Sequence, residues 1–399
     1  MGQVTDLDTF SALLAPEGQE LLAALRDHDP ADDLAAATRL RRTHPAPLVS
    51  AALGQARLRQ RAAAKFGADA RRMYFTPNGV EQSTRATVAT HRAARLAALG
   101  VRTLADLCSG IGGDAIALAR AGIRVLAVDR DPLACAAARA NAGALELADL
   151  IEVRCADVTE VDTAGFDAVF VDPARRTKAR GGRIFDPEAY SPPLSWAVEA
   201  ARTAPHAALK IAPGVPHEAL PEDAETEWIS DGGDVKEAVV WFGPGTALSP
   251  GGRRATLLPG GATLLGAGLP DPEPGPVGSY LYEPDGAVIR AHLVADVARQ
   301  VGGRLIDPTI AYVTADELTP TPYATAYEIT DVLPFNVKKL RALLRERGIG
   351  IAEIKKRGSA VSPEELRKKL RLEGVNSCTI ILTRVAGRPS MLLGSPVRA

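Results

Sequence analysis

The segment Leu104-Ala-Asp-Leu-Cys-Ser-Gly-Ile-Gly-Gly-Asp114 reads as a strand ending near a carboxylate, a glycine turn and a helix start. Glycines there let the backbone approach a bound nucleotide at the first strand-to-helix crevice of an α/β sheet. Gly110, Gly112 and Ala115 also satisfy the dinucleotide pattern G-x-G-x-x-A, and Asp129 follows about 20 residues later. A nicotinamide enzyme therefore competes, and a purely structural turn is a third reading. The strand-end acids separate them. Asp106 precedes the glycines, where it would repel a pyrophosphate but receive the amino group of a methionine moiety. Asp129, in Val-Asp129-Arg130-Asp131, is placed to accept from two ribose hydroxyls, and Asp157, after Cys155, from an adenine amine. Any one of these acids is explained as well by a helix cap or strand-end turn. Together they suit a zwitterionic, phosphate-free nucleoside.

This set resembles the class I S-adenosylmethionine (SAM)-dependent methyltransferases. The resemblance implies a cofactor site from Asp106, Cys108, Gly110, Gly112, Gly113, Asp114, Asp129, Arg130 and Asp157. Asp114 either caps the helix or touches the amino-acid end of SAM, as that position commonly does in the family. The fourth strand, Phe166 to Asp172, runs into Asp172-Pro173-Ala174-Arg175, which matches the position of the catalytic tetrapeptide Asn/Asp-Pro-Pro-aromatic in methyltransferases of amino groups. There the acid and the carbonyl after it orient a nitrogen lone pair, so positioning supplies much of the rate. Ala174 and Arg175 depart from that tetrapeptide, which puts an exocyclic amine target in doubt. Arg175 can stack on a base, grip a phosphate or pair with a nearby acid. Arg176, Lys178, Arg180 and Arg183 extend a basic loop around the expected substrate entrance. A carbon-5 pyrimidine mechanism needs a cysteine nucleophile, and none of Cys108, Cys135, Cys155 or Cys378 is placed for one.

Tyr74-Phe-Thr-Pro-Asn-Gly-Val-Glu-Gln-Ser-Thr-Arg85, the Asp172 to Arg176 tract and the C-terminal segments together resemble bacterial methyltransferases with a THUMP-like domain, over roughly residues 70–395. That resemblance implies a core followed by a small ferredoxin-like module and a THUMP-like domain, and it marks Glu81 and Gln82 as family positions near cofactor or substrate. Residues 338–371 carry twelve Lys and Arg against four Glu. Such an excess suits a phosphate backbone, with Lys355, Lys356 and Arg357 as candidate substrate contacts; a solvated helix face is the plainer alternative. The expected partner is a structured RNA (tRNA or rRNA). Two rival readings stand beside it: a methyltransferase of protein or small molecules, and a SAM-binding module without catalysis.

Certain elements must position these residues. From Val101 short β-rich runs (VRTLADLC, IRVLAVD, LIEVRC, FDAVFVD, HAALKIAP, TEWIS, KEAVVWFG) alternate with helical DAIALARAG and PLACAAARANAGAL. That alternation predicts a parallel sheet with crossover helices. The expected fold is α/β: an N-terminal helical region (1–75), a Rossmann-like core (76–245), a Gly/Pro-rich connection (246–276), a ferredoxin-like module (277–320) and a THUMP-like domain (321–399). In the last two, VIRAHLVADVARQVG, NVKKLRALLRERG and SPEELRKKLRLEG read as helices, IGIAEIKKRG as a strand, and SCTIILTRVAG with RPSMLLGSPV as a hairpin. The net charge of −1 over 399 residues makes any nucleic-acid attraction local. Four cysteines without C-x-x-C spacing or a His cluster indicate neither zinc nor disulfides. No stretch reaches the ~18 apolar residues of a membrane span, and no signal peptide is visible, so a cytoplasmic enzyme is expected.

Overall fold

The computed structural model describes residues 2–174, 187–245 and 251–397. Two compact units divide the chain: Met1–Glu225 with Ala238–Pro250, and Thr226–Glu237 with Gly251–Ala399.

The first unit opens with helices α1 (Gly2–Leu14), α2 (Pro16–Ala24), α3 (Asp33–Leu40) and α4 (Ala46–Phe66). Prolines sit in the first turns of α2 and α4, where the missing N–H costs nothing. The chain continues through α5 (Pro77–Gln82), α6 (Ala86–Ala98), β1 (Thr103–Leu107), α7 (Gly113–Arg120), β2 (Arg124–Asp129), α8 (Pro132–Ala144) and β3 (Ile151–Cys155). After it come β4 (Ala168–Val171), α9 (Leu194–Arg202) and β5 (His206–Ile211). These five strands are parallel in the order β3-β2-β1-β4-β5. The strands expected from the β-rich runs all form; α9 was not anticipated. Val169, Phe170 and Val171 of β4 are fully buried, as a parallel strand covered on both faces requires. Of β6 (Glu225–Asp231) and β7 (Asp234–Phe242), this unit includes Glu225 and Ala238–Phe242, the latter antiparallel to β5. Strand order reverses at β1, so the crevice beyond the carboxyl ends of β1 and β4 is where such a sheet holds a ligand.

In the second unit the remainder of β6 pairs in parallel with β8 (Arg253–Leu258), and β9 (Ala262–Leu265) returns antiparallel to β8. This hairpin lies inside the Gly/Pro-rich stretch. A seven-stranded sheet follows, built from β10 (Tyr280–Pro284), β11 (Arg304–Asp307), β12 (Ile310–Ala315), β13 (Ala324–Pro334), β14 (Ile349–Lys356), β15 (Asn376–Val385) and β16 (Arg388–Pro396). Its order is β11-β12-β10-β13-β16-β15-β14, antiparallel except for β14 with β15. Residues 277–320 and 321–399, read from sequence as separate modules, thus contribute strands to one sheet. β10 makes the join by hydrogen bonding to β12 on one side and β13 on the other.

The single helix expected over 288–302 is instead two, α10 (Gly286–Arg290) and α11 (Val294–Gln300). His292 adopts φ 58°, and Leu293 N–H bonds back to Val288 carbonyl at 3.0 Å, a six-to-one closure that ends a helix. Helices α12 (Val337–Glu346) and α13 (Pro363–Leu370) form as expected. Their Leu340, Leu344, Leu366 and Leu370 cover one face of the sheet against Ile380, Leu382, Met391 and Leu393. Spacing of these leucines by three or four residues leaves the Lys and Arg of both helices outward.

Candidate active site

The glycine loop leaves β1 at Cys108, which adopts φ 68°, a region costly for a side chain with a Cβ. Gly110 and Gly112 follow at φ 57° and 82°. Ser109 N–H donates to Val128 carbonyl at 2.9 Å, tying the turn to β2, and Gly112 N–H donates to Ser109 carbonyl at 3.0 Å. A Cβ built on Gly110 would meet nothing within 4 Å, so the loop borders open space. Gly113 starts α7 with Phe66 at 3.5 Å from where its own Cβ would stand.

Asp106, Asp114 and Asp129 lie in or beside this loop, and Asp157 follows β3. Asp106 is fully buried, and neither of its carboxylate oxygens has a hydrogen-bond partner. Burial pushes its carboxyl well above the ordinary range, the charges of Asp114, Asp172 and Asp129 push further, and Arg92 opposes them. A buried acid with neither oxygen hydrogen bonded is rare in a native fold. Asp129 ends β2 and accepts from Gly110 N–H at 2.8 Å and from Asp131 N–H at 2.9 Å. Burial raises its carboxyl, and those two hydrogen bonds pull it back. Each carboxylate oxygen retains further lone-pair capacity. Asp114, in the first turn of α7, pairs with the buried Arg92 of α6, whose guanidinium lies 4.4 Å from the centroid of the Phe170 ring. Asp157 is exposed and accepts from Thr159 N–H and hydroxyl at 2.9 and 2.7 Å, bonds that lower its carboxyl. Arg130 is exposed and favours the ionised forms of Asp129 and Asp157.

At the end of β4, Asp172 N–H donates to Leu107 carbonyl at 3.1 Å, placing the loop after β4 beside the end of β1. Its Oδ2 accepts from Lys210 Nζ at 2.6 Å, and the same ammonium donates to Thr84 Oγ1 at 2.9 Å. Pro173 follows, and Ala174 is pinned to Ser191 by reciprocal backbone bonds of 2.9 and 3.1 Å. Arg175 and Arg176, with Lys178, Arg180 and Arg183, lie outside the described residues. The thiol of Cys108 is pushed well up by burial and then by Asp129, Asp172 and Asp106, so it is a poor nucleophile.

Arg92, Lys210, Thr84 and Asn141 escaped the sequence reading. Asn141 of α8 is buried; its side chain accepts from Tyr74 N–H at 2.6 Å and donates to the carbonyls of Tyr74 and Ile111 at 3.1 and 2.9 Å. It thereby fixes the segment before α5 against the glycine loop. Glu81, expected near cofactor or substrate, faces Arg61 at 3.6 Å, and its carbonyl receives Lys65 Nζ; Gln82 is exposed. A lysine inside the apolar strand HAALKIAP was the one available local signal.

In the second unit the three basic candidates separate by strand alternation. Lys355 Nζ donates to Glu283 Oε2 at 2.9 Å, and Arg357 approaches Glu283 Oε1 at 3.7 Å, over the Tyr312 ring. Burial works to lower the Lys355 ammonium, but its contacts with Glu283 and Tyr327 prevail and raise it. Lys356 alone of the three is exposed. Among the described residues no group of three or more His, Cys, Asp or Glu could hold a metal ion, and no helix is long and apolar enough to cross a membrane.

Three family models match the chain: a domain of unknown function at residues 6–62, RNA cap guanine-N2 methyltransferase at 101–194, and THUMP domain-like at 324–396. Uncharacterized SAM-dependent methyltransferases of two Mycobacterium tuberculosis strains are each 37% identical over 338 residues, covering 82% of this chain and 90% of theirs. The crystal structure of a putative methyltransferase from Porphyromonas gingivalis superposes with a TM-score of 0.75 at 22% identity, over 93% of this chain and 99% of that one. This last likeness concerns the fold.

Proposed function

From the premise that this chain belongs to the SAM-dependent methyltransferases, we propose that it methylates a base nitrogen of a structured RNA (tRNA or rRNA). The observation that carries the acceptor assignment is Asp172, partly exposed beyond β4 and hydrogen bonded through its N–H to the strand that bears the orphaned Asp106. RNA is favoured by two matches, one to an RNA methyltransferase family in the core and one to a THUMP-like module at residues 324–396.

SAM supplies, when bound, a methyl group on a sulfonium, so nitrogen attack requires neither metal nor strong base. Asp106 would receive the ammonium of its methionine part, Asp129 the ribose hydroxyls and Asp157 the adenine amine, across the space that Gly110 leaves open. Asp114 serves this site through Arg92 rather than directly. Asp172 would accept a hydrogen bond from the target N–H, with the Pro173 carbonyl as a second acceptor, aligning the lone pair. The proton leaves the nitrogen after N–C bond formation and passes to Asp172 or solvent.

The test compares RNA nucleosides by mass spectrometry from cells carrying wild type, Asp172→Ala or Asp172→Asn, with calorimetric SAM binding to each purified protein. One methylated nucleoside lost in Asp172→Ala and retained at a reduced level in Asp172→Asn, which keeps an acceptor oxygen, with SAM binding kept in both, is the expected result. An unchanged RNA profile with SAM binding kept would overturn the RNA assignment and direct attention to protein or metabolite acceptors.

A further inference from the structure

Lys210 stands on β5, only 4% exposed, in a strand whose neighbours Ala208, Leu209 and Ile211 are fully buried. Lysine is almost never buried unless paired. A buried ion pair is weak evidence for stability, because an apolar side chain of similar size often serves a core as well. The pairing here is specific: the ammonium takes Oδ2 of Asp172 and leaves Oδ1 without a partner among the described residues. A carboxylate has two equivalent oxygens, and holding one fixes the direction of the other.

The ammonium is itself held. Thr84 Oγ1 accepts from it at 2.9 Å, and Thr84 follows Ser83, whose carbonyl receives Lys65 Nζ of α4 at 2.7 Å. A chain of contacts therefore runs from the N-terminal helical region through the turn between α5 and α6 to the catalytic loop. This gives a use to the Tyr74 to Arg85 segment, which the cofactor site leaves unexplained.

We infer that Lys210, braced by Thr84, is a positioning residue that aims Asp172 Oδ1 at the methyl-accepting atom. The inference rests on Asp172 being the acceptor-side residue, as proposed above. It does not require that the acceptor be RNA.

The experiment uses the full-length protein with methyl-labelled SAM, offered separately to total RNA and total protein from cells lacking the enzyme. Lys210→Met should lower kcat about 100-fold, the scale of a 1 Å misplacement, with acceptor KM and SAM affinity within about threefold of wild type. Thr84→Val should lower kcat about tenfold, and Thr84→Ser, which keeps the hydroxyl, should restore it to within about twofold. Thermal melts of each variant identify any loss due to unfolding. Should Lys210→Met not fold, the Thr84 pair carries the test alone. Unchanged kcat in Lys210→Met, or loss in Thr84→Val that Thr84→Ser fails to restore, would overturn the inference. Label entering protein but not RNA would overturn the RNA reading and leave Lys210 to be judged in the protein fraction. No label from wild type in either fraction would overturn both.

Discussion

The strand-end acids of the first unit and the basic strand end at Lys355 to Arg357 are both sets of like charges, yet the fold treats Asp106 and the Lys355 and Arg357 pair oppositely. Asp106 is buried with both oxygens unpartnered, whereas Lys355 and Arg357 share Glu283. A polar group left unsatisfied inside a fold is a deficit that a ligand can fill. A charge satisfied internally already has its partner and offers little to an outside phosphate. Substitutions on either side can break this contrast.

The largest effect is expected at Asp106. Asp106→Asn removes a charge-assisted contact to the SAM ammonium, and calorimetry should show about a 100-fold loss of affinity, the upper part of the range for hydrogen bonds to charged groups. The unliganded variant should melt no lower than wild type, because the carboxylate it replaces has no partner to lose. Full SAM affinity in Asp106→Asn would remove Asp106 from the site.

The next effect is a pH dependence whose sign follows from burial. The folded-state pKa of Asp106 lies well above its unfolded value, so between the two the native state keeps a proton that the unfolded chain releases. Stability of the unliganded protein should therefore fall as pH rises through that window, at up to about 1.4 kcal/mol per pH unit. Denaturant melts across pH should show this slope in wild type and a shallower one in Asp106→Asn. Identical slopes in the two proteins would mean that Asp106 does not hold its proton.

The glycine loop and the acids beside it were legible because their signal is local: Asp106, Gly110, Gly112 and Asp129 lie at strand ends or in a turn whose spacing is set by the βαβ unit. Their counter-charges were not. Arg92 meets Asp114 from another helix and Lys210 meets Asp172 38 positions away, and an arginine in an Ala-rich helix reads as solvated. Strand alternation, which separates Lys356 from Lys355 and Arg357, is readable once β14 is recognised. The partner of Lys355 is Glu283, 72 positions earlier on a strand that the sequence reading did not assign. The parallel core announces itself by apolar runs. By contrast β13, with its alternating partly exposed residues, and the short strands β10 to β12 carry weaker patterns, and their sheet is defined by pairing over long separations.

On the basic side, Lys355→Met should leave Glu283 with the Tyr327 hydroxyl at 3.4 Å and Arg357 at 3.7 Å. Both partners are about a quarter exposed, so solvent screening reduces the cost to about 1 kcal/mol of stability. Denaturant unfolding reads this directly. Affinity for purified tRNA, measured by fluorescence anisotropy, should change less than about twofold, since this ammonium is already engaged. A large loss of RNA affinity without loss of stability would reverse the assignment of Lys355 as structural.

The smallest effect separates Lys356 from its neighbours. Its side chain lies on the opposite side of β14 from the Glu283 cluster and is exposed, so Lys356→Ala should leave stability within about 0.5 kcal/mol of wild type. If RNA lies on this surface, the same change removes at most one phosphate contact: affinity for tRNA falls about two- to threefold, and the slope of log affinity against log salt shrinks by less than about 1. The slope is the sharper readout, because it counts released counterions and is unmoved by a shift in folding. A reduced slope in Lys356→Ala and an unchanged one in Lys355→Met would show that exposure, not sequence clustering, selects the RNA-facing charges. Equal slopes in both variants and wild type would place the RNA surface elsewhere, with the outward lysines of α12 and α13, Lys338, Lys339, Lys368 and Lys369, as the next positions to neutralise.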